Sequence, residues 1–514
     1  MPEHLPSLMI GTINSASYCA CPMSYLMAKI LSCNRNDVST MSTSIWLADL
    51  THTGQTISSD IVPAGIGMIA EVLESQCAAT VQVRVFKFPE DLAAALEIEF
   101  PDILGVSNYV WNGRLSSQFA RKVKQVNPAT VTVMGGPNCP TDAGEQERLL
   151  QENPWIDVFI LKEAELAFVN LVNDLGANNM DPAQVDLDAC PNLIRLDRDG
   201  RLQASTEIRR MRDLQSIPSP YLSGRLDPFL DGRLLPVIQT NRGCPFSCAF
   251  CTEGQLFWSK VRRKSEATIR DEIHYIARAM NELAADKRRH DLLIADSNFG
   301  MFKEDLDTCR VIAETQDSHG YPKYMNVATG KNKKERVLEA ARIVNGAMKL
   351  AASVQSLDPT VQANMKRDNI SSDQIVDLAL LADEIDTNTY SEIILALPGD
   401  TQKAHFKTLQ TLVDADFNTI SMYQLMILPG TEFGSDKVKA DYDMTLKYRV
   451  IPRCFGTYDL LGESLVVAEI EEICVANKTL PYDDYLACRR MNLIVNLFFN
   501  DRVFGEVIHL LRWN

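Results

Sequence analysis

No apolar run in this chain approaches the roughly 20 residues that a membrane-spanning helix needs, and the apolar start at Leu8–Ile10 breaks at Thr12-Ile-Asn-Ser15. Positive charge is in deficit as well. Lys and Arg number 51 against 67 Asp and Glu, a net charge of −16, which argues against a nucleic-acid or anionic-membrane surface, since both need basic patches. Met1-Pro-Glu-His4 lacks the basic start of an export leader, so the expected compartment is the reducing cytoplasm. No internal repeat or low-complexity tract stands out, which excludes a solenoid. Cysteine is not scarce, but 13 is an odd number and most spacings are irregular. In a chain of 514 residues, long enough to bury a core without staples, this excludes a disulfide framework.

One cysteine spacing is regular. Thr240-Asn-Arg-Gly-Cys244-Pro-Phe-Ser-Cys248-Ala-Phe-Cys251-Thr-Glu-Gly254 places three thiols on one tight CxxxCxxC loop. Three thiolates can hold three irons of a [4Fe–4S] cluster and leave the fourth iron open to chelate a substrate. The alternatives at this point are a three-thiolate zinc site with a distant fourth ligand, or thiols that merely pack. Zinc sites usually pair two short hooks, and no second hook follows here. The other cysteines, such as Cys19, Cys21, Cys33, Cys77 and Cys139, read as small buried hydrophobes.

The length suggests two or three domains, and two strand–helix arrays can be read. The first, residues 44–178, follows an N-terminal extension, 1–43. Its strands are Ser44–Asp49, Val81–Phe86, Ile103–Ser107, Val131–Met134 and Val158–Leu161. Helical stripes such as Phe119, Val123 and Val126 alternate with them, the pattern of an open, doubly wound Rossmann-like parallel sheet. Residues 179–234 read as a connector with a small hairpin. The second array, 235–435, carries six strand candidates: Pro236–Thr240, Leu292–Asp296, Tyr324–Ala328, Ala351–Ser356, Ser391–Leu397 and Thr419–Leu425. Between them lie helical stripes at Ile269–Leu283 and at Ile375, Leu378 and Leu381. Six such units suit a partial (β/α)6 barrel. The region 436–514 is expected to be mostly helical on the strength of Met491, Ile494, Leu497 and Phe498.

Active sites of βα barrels gather at the carboxyl ends of the strands. Reading off those ends gives Asp296-Ser297-Asn298, Thr329-Gly-Lys331, Gln355-Ser356-Leu-Asp358, Leu397-Pro-Gly-Asp400 and Gln424–Thr431. Glu253 reads as a substrate contact or a helix N-terminal carboxylate, with the latter ahead. Lys331, Lys333 and Arg367 read as solvated surface.

The cysteine loop, with the aromatic Phe250 inside it and a strand leading in, resembles the radical SAM superfamily. The resemblance implies that Cys244, Cys248 and Cys251 ligate a [4Fe–4S] cluster capped by S-adenosylmethionine (SAM), with Phe250 beside the adenine. By the same resemblance Asp296, Ser297 and Asn298 lie near the cofactor's amino group, Gln355 and Ser356 near its ribose and carboxylate, and Ile393 and Leu397 beside the adenine. The second strand end departs from the commoner Gly-Gly-Glu form. In the first array, Pro63-Ala-Gly-Ile-Gly67, Ser107-Asn-Tyr-Val-Trp-Asn112, Gly135-Gly-Pro-Asn138 and Glu163-Ala-Glu165 resemble the cobalamin-binding class of that superfamily. There Ser107, Asn108, Asn112, Gly135 and Gly136 would line the cobalamin cleft. The Asp-x-His-x-x-Gly loop of proteins that ligate cobalt through histidine is absent, and His52 in Asp49-Leu-Thr-His-Thr-Gly54 is only a partial echo.

The resemblance implies reductive cleavage of SAM to a 5′-deoxyadenosyl radical and cobalamin-dependent methylation of an unactivated carbon in a small-molecule substrate. A flavodoxin or ferredoxin would donate electrons, and neither nucleic acid nor membrane is an expected partner. The alternatives are a radical SAM reaction without methyl transfer, or a non-enzymatic iron–sulfur or zinc protein.

Overall fold

The computed structural model describes residues 42–330, 332–351, 353–367 and 388–512. The segment 1–41 with Cys19, Cys21 and Cys33, the residue Lys331, and the stripe Ile375, Leu378 and Leu381 lie outside the described residues.

The first array forms β1 (Thr43–Ala48), α1 (Ala64–Gln76), β2 (Val81–Phe86), α2 (Pro89–Leu96), β3 (Ile103–Ser107), α3 (Gly113–Val126), β4 (Val131–Gly135), α4 (Ala143–Glu152), β5 (Val158–Ile160) and α5 (Glu165–Ala177). The five strands are parallel in the order β2-β1-β3-β4-β5, a doubly wound sheet whose switch point lies between β1 and β3. Both faces of the central strands are covered, so β1 and β3 are apolar in both parities, while the edge strand β2 alternates and exposes Gln82 and Arg84. Ile45 and Leu47 pack into one core and Trp46 and Ala48 into the other. The connector hairpin, β6 (Leu193–Leu196) and β7 (Leu202–Ala204), is not a separate link as expected. It pairs antiparallel on β5 and widens the sheet to seven strands.

The second array supplies β8 (Val237–Ile238), α6 (Glu266–Glu282), β9 (Asp291–Phe299), α7 (Lys303–His319), β10 (Tyr324–Thr329), α8 (Lys334–Ile343), β11 (Leu350–Ala351), β12 (Thr389–Leu395), α9 (Gln402–Asp414) and β13 (Thr419–Gln424). Five of the six strands fall where expected, while the fourth, expected over Ala351–Ser356, is the two-residue β11; all are parallel, but as two three-stranded groups, β8–β10 and β11–β13. A bridge between Met325 and Met348 links the groups. The apolar faces of α6, α7 and α8 close one core around them, with Ile273, Ile276, Val311 and Ala340 fully buried.

The region after 436 corrects the expectation of a mostly helical tail. A long antiparallel hairpin, β14 (Thr445–Leu460) and β15 (Glu463–Ala476), precedes the helices α10 (Tyr482–Phe498) and α11 (Gly505–Arg512). The hairpin tip packs Tyr458, Leu460, Leu465 and Val467 against Phe119 and Trp46 of the sheet. Its base packs Ile473 and Cys474 with Leu395, Leu397 and Ala249 at the barrel mouth. One strap therefore touches both arrays.

Candidate functional site

The cysteine loop leaves β8 and is held by its neighbours rather than by its own sequence. Asp296 is 2% exposed and accepts hydrogen bonds from the Thr240 N–H at 2.9 Å, the Asn241 N–H at 3.2 Å, the Asn241 amide at 2.6 Å and the Thr240 hydroxyl. Burial still outweighs these donors and pushes the Asp296 carboxyl up to about 6. Gly243 enters the loop at φ +121°, where a side chain would meet the Trp258 and Lys260 carbonyls at 2.7 and 2.6 Å. A residue without Cβ is required there. Cys244 and Cys248 are buried, Cys251 is partly exposed, and none of the three is in a disulfide. The Asn298 amide donates to the Cys244 sulfur at 3.2 Å, and the Arg367 guanidinium lies 4.0 Å from the Cys248 sulfur. Donors aimed at sulfur stabilise thiolates and tune a cluster bound to them. Among the described residues no three His, Cys, Asp or Glu side chains converge on one point as a mononuclear ion requires.

Beneath the loop the barrel encloses a lumen of about 870 Å³. Strand pleating decides which strand-end residues face it. In β9, Leu293 and Ser297 line the lumen, while Asp296 and Asn298 point the other way and serve the cysteine loop. In β12, Tyr390 and Glu392 line it, and Ile393 is in the core behind the strand. Phe250, Ser297 and Gln355 are thus brought to one cavity. The expected cofactor contacts Asp296, Asn298, Ser356, Ile393 and Leu397 do not line it. Ser356 is buried, its hydroxyl accepting from the Asp358 N–H at 3.2 Å, and Leu397 packs in the apolar cluster at the barrel mouth. Gln355 sits at φ +62°, is 7% exposed, and its side-chain carbonyl has no hydrogen-bond partner.

Four cations line the lumen, Lys334, Lys349, Arg367 and Arg502, and the sequence reading placed none of them there. Arg367, expected on the surface, is 6% exposed and donates to the Ser353 carbonyl. Lys334, at the start of α8, is pushed down to about 8 by burial and then by the Arg367 charge. Lys333 is exposed as expected. Nothing in a one-dimensional Lys-Asn-Lys-Lys run marks which cation turns inward.

A second cavity of about 810 Å³ opens between the cysteine loop and the switch point of the sheet. Ser107, Gly135 and Gly136 line it from the sheet side, and Cys251, Thr252 and Glu253 from the loop side. Gly136, at φ +140°, has its α-carbon against the Asn108 backbone, where a Cβ would fall 2.5 Å from the carbonyl oxygen. Asn108 and Asn112, expected to line the cleft, instead build its walls. The Asn108 amide donates to the Asn138 carbonyl at 2.8 Å. The fully buried Asn112 amide donates to the Leu50 carbonyl and the Ser107 hydroxyl, both at 2.9 Å, and to Asp49. Glu165 pairs with Arg242 at 2.8 Å, two residues before Cys244, and Glu163 lies within 3.6 Å of Arg242 and Arg210. The Glu163-Ala-Glu165 motif therefore anchors the cysteine loop to the sheet. His52 does not face the cavity. It is fully buried, its Nε2 donating to Glu469 at 3.2 Å and its Nδ1 accepting from the Tyr458 hydroxyl at 2.9 Å, so both ring nitrogens are occupied by the hairpin.

Residues 51–172 match the family of the B12 binding domain. Cysteine loop, doubly wound cleft and partial barrel are together the arrangement expected of a radical SAM protein of the class that carries a cobalamin-binding domain. It is 29% identical over 397 residues to the cobalamin-dependent radical SAM methyltransferase TokK of Streptomyces tokunonensis, an alignment covering 75% of this chain and 55% of that protein. The chain thus spans about half the length of this curated relative. Its fold matches the radical SAM methyltransferase TsrM of Kitasatospora setae, solved with tryptophan and a SAM analogue, at a TM-score of 0.61 and 14% identity over 87% of this chain and 89% of that one. It also matches the cobalamin-dependent radical enzyme OxsB, solved with aqua-cobalamin and SAM, at 0.62 and 12% over 89% and 67%. At these identities the structural likeness is one of fold.

No helix among the described residues is long and apolar enough to cross a membrane.

Proposed function

We propose that the chain is an enzyme that cleaves SAM at a [4Fe–4S] cluster and methylates an unactivated carbon of a small molecule, with cobalamin as the methyl carrier. The observation that carries this reading is the second cavity, which the cysteine loop and the sheet-end loops line from opposite sides. When bound, the reduced cluster supplies the electron that splits SAM into a 5′-deoxyadenosyl radical, and cobalamin supplies the methyl group.

The protein's own part is binding, orientation and exclusion of water. Cys244, Cys248 and Cys251 would hold three irons, with Asn298 and Arg367 beside two of the sulfurs. Phe250, Ser297 and the unpartnered Gln355 carbonyl would meet SAM in the lumen. Ser107, Gly135 and Gly136 would let the sheet approach the corrin closely, and no histidine among the described residues lines that cavity. A flavodoxin or ferredoxin would deliver the electron. A radical reaction without methyl transfer uses the same loop and lumen but leaves the sheet-side cavity without a task, and is not favoured.

The test is anaerobic reconstitution with iron, sulfide and hydroxocobalamin, followed by desalting and metal analysis. The expected result is about four irons and stoichiometric cobalt, with Cys251→Ser losing iron but keeping cobalt. A full cluster with no retained cobalt would refute the methyl-carrier reading.

A further inference from the structure

The strand-end carboxylate nearest the cysteine loop is committed to that loop. Asp296 faces away from the lumen and is saturated by donors from Thr240 and Asn241. Asn298, of the same parity, is turned to the Cys244 sulfur. Only Ser297 of the three faces the lumen, and its hydroxyl donates to the carboxylate of Glu253. Glu253 lies on the short turn Thr252–Gly254, two residues past Cys251. It lines the sheet-side cavity while its Ser297 partner lines the lumen, so this hydrogen bond stands where the two cavities meet. The other carboxylates of the sheet-side cavity each face a cation: Glu163 and Glu165 face Arg242, Asp49 faces Lys87 and Glu272 faces Lys264. Glu253 forms no ion pair among the described residues. A carboxylate half out of water, beside a site for an open iron and lacking a cation, is an acceptor for a cationic ligand group.

We propose that Glu253, oriented by Ser297, receives the α-ammonium group of SAM, so that the carboxylate for this contact comes from the cysteine loop and not from the second barrel strand. The inference rests on the SAM-cleaving reading above. It explains why Asp296-Ser-Asn can depart from a strand-end glutamate motif: the position facing the lumen needs only a hydroxyl to orient a carboxylate arriving from the loop. Glu253 is a binding residue, and Ser297 a positioning residue that acts through it.

The experiment measures equilibrium binding to the anaerobically reconstituted protein of two probes, SAM and its analogue with hydrogen in place of the α-ammonium. The visible spectrum and iron content of each variant report that the loop is still folded around its cluster. The expected result is that Glu253→Gln weakens SAM about 10- to 100-fold, the ordinary worth of a charge-assisted hydrogen bond in a partly dry site, while binding of the analogue changes less than about twofold. Wild type should prefer SAM over the analogue by a similar factor, and Ser297→Ala should lose part of that preference. Equal loss for both probes, or no loss for either, overturns the assignment. Retention of the preference in Glu253→Gln together with its disappearance in Glu392→Gln, the carboxylate deeper in the lumen, would assign the ammonium to β12 instead. Failure of wild type to bind either probe with a full cluster would remove the SAM reading itself, and this assignment with it.

Discussion

Glu469→Ala should be among the most damaging single substitutions in this chain, although residue 469 lies on a strand after the barrel. The Glu469 carboxylate is 2% exposed and accepts from the backbone N–H groups of Arg114 at 3.0 Å and Leu115 at 2.8 Å, as well as from His52. The two N–H groups belong to the first turn of α3, whose own N-cap residue, Asn112, makes no side-chain cap. The hairpin thus caps a helix of the sheet domain from more than 350 residues away. Losing a cap costs about 1 kcal/mol, and a partly buried anion at a helix N-terminus contributes up to about 2 kcal/mol. A stranded buried donor adds about 1–3 kcal/mol. Relief from burying the carboxylate offsets part of this, so the expected net loss is about 3–5 kcal/mol. Glu469→Gln keeps an acceptor and should lose only about 1–2 kcal/mol. Urea unfolding of the full chain, followed by circular dichroism, reads both. An alanine variant within 1 kcal/mol of wild type, or a glutamine variant as unstable as the alanine one, would falsify this account.

His52→Gln should leave the electron paramagnetic resonance spectrum of bound cob(II)alamin unchanged, because both ring nitrogens are already engaged by Tyr458 and Glu469; a splitting lost in the variant would contradict the structure. Asn298→Leu removes the donor to the Cys244 sulfur and should lower the cluster's reduction potential by about 40 mV for each kcal/mol that the hydrogen bond contributes, checked by redox titration; an unchanged potential would remove Asn298 from the cluster's environment. The Asp400 carboxyl is pushed up to about 7 by burial, so in the fold it stays protonated where the unfolded chain has already ionised. Its contribution to stability is full below about pH 4 and is lost as pH rises through 7. Asp400→Asn should therefore gain about 3–4 kcal/mol relative to wild type between pH 4 and pH 8, read from urea midpoints at the two pH values, and a constant difference would refute the assignment.

Much of the architecture is local information. The near-continuous apolar strands of the sheet and the helical stripes Phe119–Val123 and Ile269–Ile276 bury where periodicity places them, because the sheet is covered on both faces and the helices on one. The CxxxCxxC loop needed no tertiary knowledge, since its three thiols share one turn of chain. Strand parity was legible too: within Asp296-Ser-Asn only one parity can face a lumen, and Ile394 and Ile393 cannot share a face. The hairpin was hidden for a different reason. On β15 the inward positions run Leu465, Val467, Glu469, Glu471, Ile473, all buried, and two inward glutamates erase the apolar alternation that marks a half-buried strand. Those carboxylates are tolerable inside only because the helix N-terminus, His52 and Arg449 reach them from distant segments. The same holds for Arg367 beside Cys248, for Glu253 beneath Ser297 and for Asp296 under the cysteine loop. Apolar burial obeys a period that one strand or helix carries alone. A charge can be buried only where a partner arrives from elsewhere in the chain, and that meeting is decided by the tertiary fold.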